Sequence, residues 1–234
     1  MERSKKGYFD IDISALTRCK SPVIHKTSHV HIHKYKDRFA AKVPAGEREL
    51  EMMLYAGPIS ITPQGRVLKD GDLVGILMDL GEPIDVSALD LPFKRELANQ
   101  IVNLITELHK KGLLHGDVKL ANVLRAPDGS VRLCDFEGAE KEPCVDPPSS
   151  LTLNWTSPAR LRNPDVPLCR ADDLYALGLT IWEVFTGRIP FEGLEEGDVE
   201  CKIMANETVD LSEIPDISIR VMIEGFLREG TRIY

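Results

Sequence analysis

Apolar positions change their period partway along the chain. Before about residue 80 they fall in short β-rich runs separated by polar turns: Val23-Ile24, Val30-His31-Ile32, Arg38 to Val43, and Leu73 to Leu80. After it they recur at helical spacing. Leu97, Ile101, Leu104, Ile105 and Leu108 put one buried stripe on a helix over 92–111. His109, Lys110 and Lys111 sit in its last turn and Gly112 ends it. Leu174, Leu177, Ile181, Trp182 and Phe185 predict another helix, stopped by Gly187. The stretches 195–206 and 215–229 read as two more. Between these groups, Val123-Leu124 and Val131 to Cys134 flank Ala126-Pro127-Asp128-Gly129-Ser130. Pro, Asp and Gly there suit a tight turn, so the segment predicts a β-hairpin. The pattern as a whole predicts an α+β chain, with strands gathered first and long helices after them.

The hairpin concentrates chemistry. Its two ends would lie side by side, bringing Asn122 before the first strand near Asp135 after the second. Asp117 and Lys119 occupy the loop leading in. Carboxylate and amide oxygens suit Mg²⁺, which in turn holds nucleotide phosphates. A second carboxylate can orient a hydroxyl nucleophile, and a lysine can neutralise charge on a moving phosphoryl group. The chemistry indicated is phosphoryl transfer.

Composition narrows the setting. The chain has 234 residues, enough for one large domain or two small ones, and a 43% hydrophobic fraction that supports a real core. A formal net charge of −8 argues against a nucleic-acid surface and suits a basic protein partner. The 5 cysteines are scattered and follow neither a disulfide framework nor a zinc spacing, so they read as thiols of a reducing compartment, cytoplasm or nucleus. No apolar run reaches membrane-spanning length, and the first residues lack the apolar core of a signal peptide. His29, His31 and His33 alternate and would share one strand face, with His25 close by. A metal site is conceivable there. With no cysteine or carboxylate set beside them to complete one, they read as an exposed strand edge.

The spacing His115-Gly116-Asp117-Val118-Lys119-Leu120-Ala121-Asn122, then Asp135-Phe136-Glu137-Gly138, resembles the protein-kinase signatures H-R-D-L-x-x-x-N and D-F-G. The lysine two places after the aspartate resembles the serine/threonine branch, and small divergent kinases of this look point to a fungal source. The resemblance runs from about Val23 to Arg232. It implies a single two-lobed kinase-like domain, with a small β-rich lobe over about 19–80 and a larger, mainly helical lobe over about 82–234. It implies Asp117, Lys119 and Thr152 as catalytic residues, and Asn122 and Asp135 as ligands of Mg²⁺. Ala40-Ala41-Lys42 resembles the strand whose lysine holds the α- and β-phosphates of ATP. Glu49, on a short helix over 47–54, matches the glutamate that pairs with it, with Glu51 the alternative. Met78 falls at the gatekeeper position, and backbone near Asp79 and Gly81 would meet the adenine edge. Val30 and Leu124 complete the expected nucleotide site. Asp173 would hold the backbone of the catalytic loop or serve as an ordinary helix N-cap.

Several positions depart from the family pattern. Lys26-Thr27-Ser28-His29 stands where a glycine-rich phosphate loop belongs. Glu137 replaces the glycine of D-F-G, and Ala159 replaces the glutamate of A-P-E, leaving Arg232 without its usual partner. Gly116 replaces the arginine that gathers an activation-loop phosphate; Lys141 or Arg160 would have to substitute for it. Ala121 removes an acidic side chain that kinases directed to basic sites use. The expected activity is transfer of the γ-phosphoryl group of ATP to a protein serine or threonine by a monomeric enzyme, with no nucleic-acid or membrane partner. The alternatives are a pseudokinase that binds nucleotide or protein and, after that, a small-molecule kinase.

Overall fold

The structure is a computed structural model that describes residues 2–3, 9–27, 29–148 and 151–231. It divides into two compact units, Met1–Pro83 with Leu124–Glu137, and Ile84–Val123 with Gly138–Tyr234. The first is β-rich and the second mainly helical, which is the α+β, two-lobed fold class the sequence pattern predicts.

The first unit is built on strands β1 (Glu2–Arg3), β2 (Phe9–Asp12), β3 (Val23–Lys26), β4 (His31–Tyr35), β5 (Phe39–Val43), β6 (Pro63–Lys69) and β7 (Asp72–Asp79). Helix α1 (Ser14–Arg18) follows β2, and α2 (Glu47–Ala56) follows β5. The strands form one sheet in the order β1-β2-β6-β7-β5-β4-β3, antiparallel except for the parallel β2/β6 pair. The sequence pattern starts this unit at about residue 19, whereas two strands and a helix before that point belong to it. Gly65 makes their docking possible, because a Cβ there would collide with the Phe9 carbonyl. Arg66 then fastens the pair through two bonds to Asp10, at 2.9 and 2.7 Å.

Side chains alternate across a strand, so β5 has two chemically different faces. Ala41 joins a core cluster with Ile11, Leu16, Tyr35, Phe39, Val67 and Leu77. Ala40 and Lys42 therefore point the opposite way, and Lys42 meets Glu49 of α2 there. The hairpin forms as expected, with strands Val123–Arg125 and Val131–Leu133. Its turn is closed by Ala126 N–H on the Ser130 carbonyl at 2.8 Å, with Gly129 at φ +84°. Strand β8 (Glu82–Pro83) adds to the first hairpin strand, and Ile61 N–H donates to the Leu133 carbonyl at 2.7 Å. Residues 124–137 thus belong with the β-rich unit, although the sequence places them in the helical part.

The second unit is ordered by α3 (Leu91–Lys110), α4 (Pro158–Arg162), α5 (Arg170–Thr186), α6 (Glu196–Met204) and α7 (Ile217–Glu229). Asp90 caps α3 by accepting the Phe93 N–H at 3.2 Å, and Leu97, Ile101, Ile105 and Leu108 are buried on one stripe. Leu104 is half-buried at its edge. Helix α5 starts three residues before the pattern suggests and is buried on nearly every side from Tyr175 to Val184, as expected of a helix packed between α3 and α7. Gly178 admits α7 closely: a Cβ there would lie 3.1 Å from that of Phe226. Gly187 ends α5 in the left-handed conformation at φ +70°. No helix among the described residues is long and apolar enough to cross a membrane.

Candidate active site

In the first unit, strand alternation and α2 bring one cation among carboxylates. Lys42 Nζ lies 2.7 Å from Glu49 Oε1, 2.7 Å from Asp135 Oδ1 and 3.7 Å from Glu137 Oε2. Lys42 and Glu49 are both only 4% exposed, whereas Glu51 faces solvent on the same helix. Burial disfavours the charged lysine, but Glu49 and Asp135 outweigh it and hold its pKa above the ordinary range. Burial pushes the Glu49 pKa up against the pull of Lys42, and the negative charges of Asp135 and Glu137 add to the rise. Asp135 adopts φ +62°, a left-handed conformation that an aspartate tolerates better than most residues.

The other expected nucleotide contacts fall in the same unit. Ala40 and Met78 are buried and directly paired across β5 and β7. Asp79 donates its N–H to the Thr62 carbonyl at 2.9 Å and accepts from Gln64 Nε2 at 2.9 Å. Gly81 lies against Leu124, where an added Cβ would be 2.9 Å from the leucine Cβ. The turn before Val30 is closed on itself. Thr27 N–H donates to the Val30 carbonyl at 2.9 Å. Thr27 Oγ1 accepts from the N–H groups of His29 at 3.3 Å and Val30 at 3.0 Å. Those amides, which a glycine-rich loop would aim at phosphate, are already engaged. Ser28 lies outside the described residues. The strand-edge reading fits His25 alone, on the outer strand β3. His31 and His33 lie on β4, paired with both β3 and β5, where their rings meet edge-on at 6.2 Å. No group of three or more His, Cys, Asp or Glu side chains that could hold a metal occurs among the described residues.

In the second unit the loop after α3 is held from below by α5. Asp173 accepts N–H groups from His115 at 2.8 Å and Gly116 at 2.9 Å, and it meets His109 Nε2 at 2.8 Å. The N-cap of α5 is Cys169, so Asp173 is the backbone clamp and not the cap. On that support, Lys119 Nζ lies 2.7 Å from Asp117 Oδ2 and donates to Thr152 Oγ1 at 2.9 Å. Thr152 Oγ1 donates to Asp117 Oδ1 at 2.7 Å. Asn122 Nδ2 donates to both the Asp117 carbonyl at 2.8 Å and its Oδ2 at 2.9 Å. Burial works against the ionised form of Asp117, but Lys119 and the bonds from Lys119 and Thr152 prevail and hold its pKa below the ordinary value. It is a carboxylate at neutral pH, available to accept a proton.

Three features of this unit take their meaning only from the structure. Glu183 of α5 accepts the Leu120 N–H at 3.4 Å, and burial pushes its pKa up to about 7 against that bond and against Lys119. Arg160 is 1% exposed and committed to Asp172 at 2.7 Å and to the Val166 and Pro167 carbonyls, so it is no substitute for the arginine missing at Gly116. Gly116 itself sits at φ +77°, with a hypothetical Cβ 2.5 Å from the Gly138 carbonyl oxygen. A side chain is excluded there by the backbone. Buried polar side chains betray themselves only through their partners: that of Glu183 is 63 positions away, and those of Arg160, within 12 positions, are gathered by the loop after α4. Arg232 lies outside the described residues.

Fold and side-chain constellation define a class, and comparison with known proteins agrees with it. Residues 77–224 match the protein kinase domain family, and the chain belongs to that family. It is 31% identical over 158 residues to mitogen-activated protein kinase kinase kinase 9 of Arabidopsis thaliana, covering 63% of this chain and 20% of that protein. It is 29% identical over 180 residues to mitogen-activated protein kinase kinase kinase 1 of the same plant, covering 73% and 29%. It is 28% identical over 143 residues to the serine/threonine-protein kinase AtPK1/AtPK6, also of Arabidopsis thaliana, covering 58% and 30%. The chain thus spans less than a third of the length of these relatives.

Proposed function

We propose that this chain transfers the γ-phosphoryl group of ATP to a serine or threonine hydroxyl of a protein. The observation that carries this reading is the triangle of Asp117, Lys119 and Thr152, tied at 2.7, 2.9 and 2.7 Å. Asp117 accepts the proton of the attacking hydroxyl, whose oxygen forms a new bond to the γ-phosphorus. The bond from that phosphorus to the β-phosphate oxygen breaks, and ADP leaves with its electron pair. Lys119 balances charge on the group in transit. Lys42 holds the α- and β-phosphates.

The donor set fits Mg²⁺, a hard cation that takes oxygen ligands. Asp135 commits Oδ1 to Lys42 while its side chain remains 37% exposed. Asn122 commits its amide nitrogen to Asp117, which leaves the oxygen as its ligating end. Each residue, in its own unit, thus offers an oxygen of the kind that Mg²⁺ takes, and Mg²⁺ would supply neutralisation of phosphate charge when bound. We assign the protein to a reducing compartment, cytoplasm or nucleus, a reading supported by the scattered spacing of its 5 cysteines.

A second reading is a pseudokinase that binds nucleotide or protein on the same frame. The observation favouring it is the turn in which Thr27 engages the His29 and Val30 amides. Thermal shift with Mg·ATP followed by phosphotransfer from labelled ATP separates the two. Stabilisation with labelling of a serine or threonine supports the enzyme; stabilisation without labelling supports the binding module.

A further inference from the structure

We propose that Glu137 is a selectivity residue of the nucleotide site, one that makes phosphate-bearing ligands depend on a divalent cation. The inference rests on the reading of Lys42 as the cation that holds phosphate. Lys42 Nζ already serves Glu49 and Asp135 at 2.7 Å each, and Glu137 brings a third carboxylate to 3.7 Å. Three carboxylates around one ammonium leave a net negative charge where a polyanion is to be received.

The three carboxylates have different duties. Glu49 is buried and fixes the lysine to α2. Asp135 offers oxygens that suit a cation. Glu137 is 68% exposed, and its ion pair with Lys42 is the longest of the three, so it contributes little to holding the lysine. What it does contribute is charge at the entrance to the ammonium. A triphosphate approaching Lys42 meets that charge, whereas a neutral nucleoside does not. A divalent cation reverses the effect, because the carboxylate that repels phosphate attracts the metal. Lys42 cannot compensate by reaching away, since its own bonds pin it between Glu49 and Asp135.

The experiment measures dissociation constants of adenosine and of ATP, each in EDTA and in excess Mg²⁺, for the wild-type chain, Glu137→Gln and Glu137→Gly. Removing one charge several ångströms away at an exposed site should tighten metal-free ATP binding by about 3–10-fold. The gain conferred by Mg²⁺ should shrink by a similar factor, and adenosine should bind all three proteins equally. Added salt should erase the difference between wild type and variants. Equal metal-free ATP affinity in all three, with adenosine binding intact, would overturn the role of Glu137 alone. Failure of the wild-type chain to bind either ligand would overturn the nucleotide reading and the inference together, so the adenosine arm tells the two failures apart.

Discussion

Thr152 Oγ1 donates to Asp117 Oδ1 at 2.7 Å while accepting from Lys119 at 2.9 Å, so one hydroxyl ties together Asp117, the proposed proton acceptor, and the Lys119 ammonium. Asp117→Asn should lower phosphotransfer by roughly 10²–10⁴-fold and leave ATP binding intact, because the amide keeps the shape but cannot take the proton. Steady-state labelling alongside calorimetric ATP titration checks this; unchanged turnover would show that another group is the base.

The same geometry makes a pH prediction. Lys119 and the bonds from Lys119 and Thr152 depress the Asp117 pKa against burial. Asp117 therefore stays ionised to a lower pH than an ordinary aspartate. Lys119→Met or Thr152→Val removes part of that depression and leaves burial in place. The acid limb of the rate profile should move to higher pH in both variants, and turnover at neutral pH should fall by about 10–10²-fold through lost orientation. A rate profile that keeps its acid limb would place the controlling group elsewhere.

Lys42→Met should abolish measurable ATP binding and also destabilise the first unit. It strands Glu49 and leaves Asp135 without its 2.7 Å partner. Breaking a buried pair from one side costs about 3–5 kcal/mol. Lys42→Met combined with Glu49→Leu should recover much of the melting temperature without recovering ATP binding. Recovery of both would mean the phosphates sit elsewhere.

Glu183 gives stability a pH dependence of unusual sign. Its folded pKa, about 7, lies above the ordinary 4.5. The folded state then binds one more proton than the unfolded state between those values, so stability falls as pH rises through that window. The full shift corresponds to about 3 kcal/mol, an upper bound. Glu183→Gln keeps an acceptor for the Leu120 N–H and removes the titration. Its melting temperature should change less between pH 5 and pH 8 than that of the wild type; parallel curves would refute the assignment.

Activity should not require phosphorylation of the loop before Thr152. Gly116 at φ +77° has no room for a phosphate-gathering side chain, and Arg160 is buried and committed. Phosphatase treatment, or Ser149→Ala with Ser150→Ala at positions outside the described residues, should leave the rate within about twofold, since no charge-assisted contact is lost. A large loss in either would show that a basic group, Lys141 for example, does take the phosphate.

Sequence alone determined what is local. The long helices were readable because a 3.6-residue apolar period and end signals such as Gly112 and Gly187 are written within each segment. The hairpin was readable because its turn demands particular residue types. Asp117, Lys119, Asn122 and Asp135 stood out because their spacing resembles a known family.

Tertiary structure decided what depends on distant partners. The N-terminal strands could not be read, since their docking hangs on a missing Cβ at Gly65, more than fifty residues away. Asp173 could have been a cap or a clamp; the packing of α5 beneath the loop, with Cys169 at the helix N-cap, made it the clamp. The turn at Thr27 looked merely short of glycine, and only its hydrogen bonds show that the amides are already spent. Glu137 read as a lost glycine, whereas folding sets its charge beside Lys42. Burial and pairing are properties of two segments at once, so no single stretch of chain carries them.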